Sequence, residues 1–181
     1  DPPAILADLQ TQMSGDFPVL SEASKNYELR YVPVQLESTL SPAFYLTAPL
    51  DDPTRNVIYI NNGSTGTDDE LYPTLAHEGF PGHLYQTVYF REHTRNPLAA
   101  LLTCSGANEG WATYVEQLSY FYDNGLSAET SAYQAAMRSF SLCFHSLLDI
   151  GINYDGWSKD RAAAFVRTCF DADDALVEEL W

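Results

Sequence analysis

The hydrophobic and polar positions divide the chain into a short stretch of mixed texture and a longer helical one. Over Pro3 to about Met13, the apolar residues Ile5, Leu6, Leu9 and Met13 recur at the spacing of one helix face. Gly15 and Pro18 then interrupt the pattern. From Tyr27 to about Tyr59 the period shortens. Tyr27, Leu29 and Tyr31 alternate with Glu28 and Arg30, and Ala43–Leu46 and Val57–Ile60 are short apolar runs cut off by Pro, Asp and Asn. Three short strands are predicted, with Asn61–Gly66 as a turn. After Asp68 the pattern is helical almost to the end. Asp68, Asp69 and Glu70 supply an acidic first turn for a helix running to about Phe90. Further helices are expected from near Pro97 to about Tyr122, from Glu129 to about Ile152, from Lys159 to Phe170, and from Asp173 onward. Helices gathered behind a small sheet predict an α+β fold: a short helix and sheet over residues 1–67, and a helical part over 68–181. The length of 181 residues suits a single domain.

Charge narrows the partners. The 25 acidic residues against 9 basic ones give a formal charge of −16, a field that repels phosphate backbones and argues against nucleic acid. No stretch has the ~18 uninterrupted apolar residues of a membrane helix. Cys104, Cys143 and Cys169 are odd in number and widely spaced, so they read as small buried hydrophobes, not as a disulfide frame or thiolate metal site. The opening Asp1-Pro2-Pro3 is neither an initiator Met nor an export leader, which suggests a processed product or a piece of a longer chain.

The chemistry concentrates in Leu75-Ala76-His77-Glu78-Gly79-Phe80-Pro81-Gly82-His83. In zinc hydrolases two imidazoles hold the ion, and a Glu beside the first reaches the attacking water. The usual spacing of four residues puts the two histidines about 40° apart on a helix. Here the spacing is six, which a regular helix would turn into about 120°. Pro81 lacks an amide hydrogen and its ring opposes the carbonyl of His77, while Gly82 tolerates unusual backbone. A break there would return His83 to the side of His77. Glu109, in Asn108-Glu109-Gly110-Trp111, lies on the next helix, and an antiparallel pair of helices would bring it across as third ligand. Gly110 would leave room for that carboxylate. Glu116, seven residues on, shares its face and could hold a ligand imidazole.

These segments, HEGFPGHLYQ and NEGWATYVEQ, together with Asp149-Ile150-Gly151-Ile152-Asn153-Tyr154-Asp155-Gly156-Trp157-Ser158, resemble the bacterial family filed as domain of unknown function 885. The likeness runs from roughly Phe17 onward, and Ser41–Leu46 and Ile60-Asn61 resemble that family's approach to its metal helix. It implies a zincin-like metallopeptidase of the gluzincin type, with His77, His83 and Glu109 as zinc ligands and Glu78 as general base. It also implies a peptide substrate and an exported or lipid-anchored protein at the cell surface. Family members are longer at both ends, so the chain would be a carboxyl-terminal catalytic portion that binds metal but turns over feebly or not at all without its amino- and carboxyl-terminal parts. Many members carry His where this chain has Asn153, which leaves Tyr154 as candidate oxyanion donor at that turn.

Blander readings stand beside these. His93 falls among charges and reads as solvated, His145 among apolar residues and reads as a core histidine, and Trp111 and Trp157 read as core. Asp149 could orient a ligand or cap a buried donor, and Tyr154 could be one ordinary tyrosine of twelve. The strand Val57–Ile60 could offer a free edge to an extended peptide or be an ordinary buried strand. Against the peptidase stands a binding module of an exported lipoprotein, metal-dependent or not, without turnover.

Overall fold

The computed structural model describes residues 1–22, 25–64, 68–102 and 104–181, with backbone alone at 68, 69, 97 and 100. The chain forms two compact units, Asp1–Ala128 and Glu129–Trp181. The architecture is α+β, as the patterning predicts, with one three-stranded sheet among helices.

In the first unit, α1 (Pro2–Gln12) starts on Pro2 and buries Leu6 and Leu9, the apolar face read from the sequence. The strands are β1 (Tyr27–Tyr31), β2 (Ala43–Leu46) and β3 (Asn56–Ile60), in the order β1-β3-β2. β1 runs parallel to β3, Tyr27 opposite Asn56, and β2 runs antiparallel to it, Tyr45 opposite Ile58. β3 is therefore central, and both its edges are paired. The free-edge reading of Val57–Ile60 is overturned, and the edge strands are β1 and β2. A buried asparagine closes each end of β3. Asn56 accepts from the Tyr45 hydroxyl (2.7 Å), and Asn61 donates to the carbonyls of Glu37 and Leu40 (2.9 and 2.7 Å) and accepts from the Gly63 amide.

Then come α2 (Asp68–Glu78), α3 (His83–His93) and α4 (Ser105–Ser119). The predicted helix from Asp68 to Phe90 is thus two helices, parted at Gly79–Gly82 beside Pro81. The turn expected over Asn61–Gly66 is seen as far as Ser64, since residues 65–67 lie outside the described ones. The helix expected from Pro97 also begins later. Pro97–Leu101 is a separate 3-10 turn capped by Asn96, and extended backbone at Leu102 and Cys104 divides it from α4. One core joins α1, the sheet, α2 and α3 through Leu9, Ile58, Ile60, Leu75, Phe80 and Leu84. The Tyr72 hydroxyl donates to Asp8 (2.7 Å) and ties α2 to α1.

The second unit holds α5 (Ala128–Asp149), a π turn over Ile150–Tyr154, α6 (Lys159–Cys169) and α7 (Asp174–Leu180). Phe144, Leu148, Ala162, Ala163, Val166 and Val177 form its core, with Trp157 and Phe165 packed against it. Ser158 and Asp173 cap α6 and α7. Two expectations fail. Cys104 and Cys143 are exposed, because Cys104 sits outside α4 at its N-cap and Cys143 points off the apolar face of α5, while Cys169 packs half-buried against this core as read. His145 is exposed as well. It neighbours the buried Phe144 but lies on the outer side of α5, its Nδ1 2.8 Å from the Ser141 carbonyl. No helix among the described residues is long and apolar enough to cross a membrane.

Candidate metal centre

The chain turns sharply between α2 and α3. The Gly79 amide still bonds the Leu75 carbonyl, and the Tyr85 amide then bonds back to the Gly79 carbonyl (3.2 Å), so α3 begins against the end of α2. Gly82 is needed for this approach. A Cβ there would lie 1.8 Å from the carbonyl oxygen of His77 and 2.3 Å from that of Ala76. The loop is also pinned from α4, where the Trp111 indole donates to the Pro81 carbonyl (2.9 Å). Trp111 is packed against the core as read, but this second task had no signal in the sequence.

The outcome is that the six-residue spacing acts as a shared face. The rings of His77 and His83 stand 4.8 Å apart, nearly perpendicular. Glu109 reaches across from α4, with Oε2 3.5 Å from Nε2 of His77 and 3.6 Å from Nε2 of His83. One donor atom from each of the three lies within 4.8 Å of the others. Bonds of about 2.0–2.1 Å at tetrahedral angles place neighbouring ligand atoms roughly 3.3–3.4 Å apart. Two of the separations are close to that value, and the set of two imidazoles and one carboxylate is a zinc-type set. Gly110 does not serve as expected: a Cβ there would meet nothing within 4 Å, so crowding is not what it relieves.

Glu116 supplies the fixing partner. It is buried on α4, and its Oε2 lies 2.9 Å from Nδ1 of His77. A carboxylate only accepts, so Nδ1 carries the hydrogen and the Nε2 lone pair of a neutral ring faces His83 and Glu109. Burial works against a charge on His77. The bond to Glu116 and the charges of Glu78, Glu116 and Glu109 outweigh it and lift the His77 pKa above the ordinary histidine value. Burial, and then the neighbouring His77, push His83 below it, which keeps that ring neutral and able to ligate.

Glu78 stands beside this cluster without belonging to it. Its Oε2 accepts the backbone amide of Tyr45 on β2 (2.8 Å). Burial raises its pKa above the ordinary carboxylate range, while the Tyr45 amide and His77 pull the other way. The Tyr45 amide is a partner that sequence reasoning missed, since nothing local to Glu78 signals which strand edge it meets. Tyr154 lies on the π turn of the second unit and is 87% exposed. Asp149 is spent locally, accepting the Asn153 side-chain amide (2.7 Å). His93 is exposed and stacked on Tyr89, in keeping with the solvated reading.

No curated protein matches the sequence. Among solved structures, the chain is similar to a crystal structure from Colwellia psychrerythraea of a protein provisionally called a lipoprotein. The TM-score is 0.75 at 18% identity, over 99% of this chain and 31% of that one. At that identity the likeness is one of fold, and the chain spans under a third of that protein's length. Residues 3–180 match the family described as "Bacterial protein of unknown function (DUF885)", and the chain belongs to that family.

Proposed function

We propose that the chain carries the catalytic centre of a zinc-dependent peptidase of zincin type, with His77, His83 and Glu109 as ligands and Glu78 as general base. The observation that carries this reading is the convergence of three zinc-type donors, one of them fixed in its tautomer by Glu116, with the half-buried carboxylate of Glu78 beside the set. When bound, zinc would lower the pKa of a water and polarise the scissile carbonyl. Glu78, its pKa lifted by burial, takes the proton of the attacking water and returns it to the leaving amine. Its bond to the Tyr45 amide holds the carboxylate in place for both transfers.

Peptide pairing belongs to β2 in this reading. The Pro42 carbonyl bonds toward β3, accepting from Asn61, and the Tyr45 amide points the other way, to Glu78. Main-chain groups alternate along a strand, so those of Ala43 and Tyr45 face the outer edge. A substrate laid along that edge would pass beside Glu78. The likeness to a protein provisionally called a lipoprotein supports an extracytoplasmic site of action.

The test is a comparison of two carboxylates. Purified chain should hold about one zinc, Glu78→Gln should keep it while peptide turnover falls by at least ~10²-fold, and Glu109→Gln should weaken zinc binding itself. If both variants lose zinc, the roles are misassigned. Full zinc occupancy without cleavage of any peptide in a library, by this chain and by a longer protein that carries the flanking parts, would favour the binding module instead.

A further inference from the structure

The elements that build the metal centre share a charge property. β2, β3, α2, α4 and the first two turns of α3, through Phe90, contain no Lys or Arg. The first unit has 16 acidic residues and 5 basic ones in all. Three of the five cations have partners, that of Arg91 just beyond the end of β2. Lys25 pairs with Glu22, Arg30 pairs with Glu28 on β1 across the sheet from β2, and Arg91 donates to the Ala48 carbonyl. Arg91 also sits eight residues beyond His83, about 12 Å along the helix. Arg55 precedes β3 and Arg95 follows the end of α3. Around the centre stand three carboxyl groups, Glu109 in the donor set, Glu116 on His77 and Glu78 beside them, against the +2 charge that one bound zinc would bring.

Two consequences follow for anything that enters. An excess of negative charge on these elements raises the local concentration of positively charged peptides and repels acidic ones. A free terminal carboxylate, which carboxypeptidase pockets hold with a planar Arg or a Lys, would meet neither residue on these elements. We propose, resting on the peptidase reading above, that this site takes cationic peptides, with Lys, Arg or a free amino terminus near the scissile bond, and makes no use of a terminal carboxylate.

The test uses the zinc-loaded chain and matched peptides with one central sequence, flanked by Lys or by Glu, each as terminal acid and terminal amide. Cleavage is measured at ~20 and ~200 mM NaCl, across which the screening length falls by roughly a factor of three. The Lys peptides should show kcat/KM at least ~10-fold above the Glu peptides at low salt, with the gap narrowing at high salt. Amidation should leave the rates equal or raise them. Equal rates for Lys and Glu peptides, a preference for Glu, or a need for the free carboxylate would overturn the inference. Fluorescence anisotropy of the same peptides on zinc-loaded Glu78→Gln protein reads the preference without turnover, and a small zinc-chelating hydroxamate should displace the bound Lys peptide. Lys-peptide binding that resists the hydroxamate would place the charge effect elsewhere on the surface and also overturn it. Selective, displaceable binding without cleavage by the parent chain or by a longer protein that carries the flanking parts would sink the peptidase reading and leave the charge preference standing. Cleavage of both peptides at equal rates would do the reverse.

Discussion

Gly82→Ala is the smallest change that should dismantle the metal centre without touching a ligand. Its new methyl would lie 1.8 Å from the carbonyl oxygen of His77, where a carbon and an oxygen need roughly 3.3 Å. The obstacle is backbone at the end of α2, so no side chain can swing aside. Relief requires position 82 and that carbonyl to separate by about 1.5 Å. His83 is the next residue and moves with it, whereas ligand positions tolerate errors of only ~0.2 Å. Zinc affinity should fall at least ~100-fold, at the upper end of what losing an outer hydrogen bond costs a metal site. The fold should suffer less. Overpacking costs ~1–3 kcal/mol, or roughly 2–12 °C in Tm for a chain of this size. Competition against a chromophoric chelator measures the first quantity, and thermal unfolding of the metal-free protein the second. A variant that melts normally and holds zinc within ~3-fold of the parent, a difference under ~0.7 kcal/mol, would refute the claim that this contact sets the approach of the histidines.

Two further substitutions probe the same architecture. Gly110→Ala places a methyl in open space on α4, so stability should rise by ~0.5–1 kcal/mol in a chemical denaturation series with zinc affinity unchanged; loss of zinc would show that Glu109 needs the room after all. Glu116→Gln replaces a charged acceptor on His77 with a neutral one, and zinc affinity in the same competition assay should drop by ~10-fold or more; an unaltered value would mean that His77 does not depend on this bond for its tautomer.

Local signals were readable and long-range ones were not. Pro81 and Gly82 carried the helix break in their own chemistry, so a spacing that contradicts a regular helix could still be read as a convergent pair. Glu116 was legible for the same reason, being two turns from Glu109 on one helix. The position of β3 was not legible, because sheet order depends on which strands meet, and an apolar run such as Val57–Ile60 looks alike at the centre or edge of a sheet. The exposed Cys143 and His145 show the converse limit: both have apolar neighbours in sequence, yet one helix carries those neighbours on a different face. The late start of α4 turned on extended backbone at Leu102 and Cys104, which their side chains do not announce.

The asparagines at the two ends of β3 have a consequence for alignment. A strand slipped by one residue exchanges its faces, and one slipped by two keeps them, so apolar packing penalises the two-residue error least. The asparagines supply the missing discrimination. A two-residue slip of β3 would carry both Asn56 and Asn61, fully buried, away from the Tyr45 hydroxyl and from the carbonyls of Asn26, Glu37 and Leu40. Each stranded polar group costs about 1–3 kcal/mol. One of those partners is the Tyr45 hydroxyl, and the amide of the same Tyr45 holds Glu78. The two ends of one strand thus act as a phase reference for β2, and a residue more than ten positions from Glu78 in either strand fixes where its carboxylate rests.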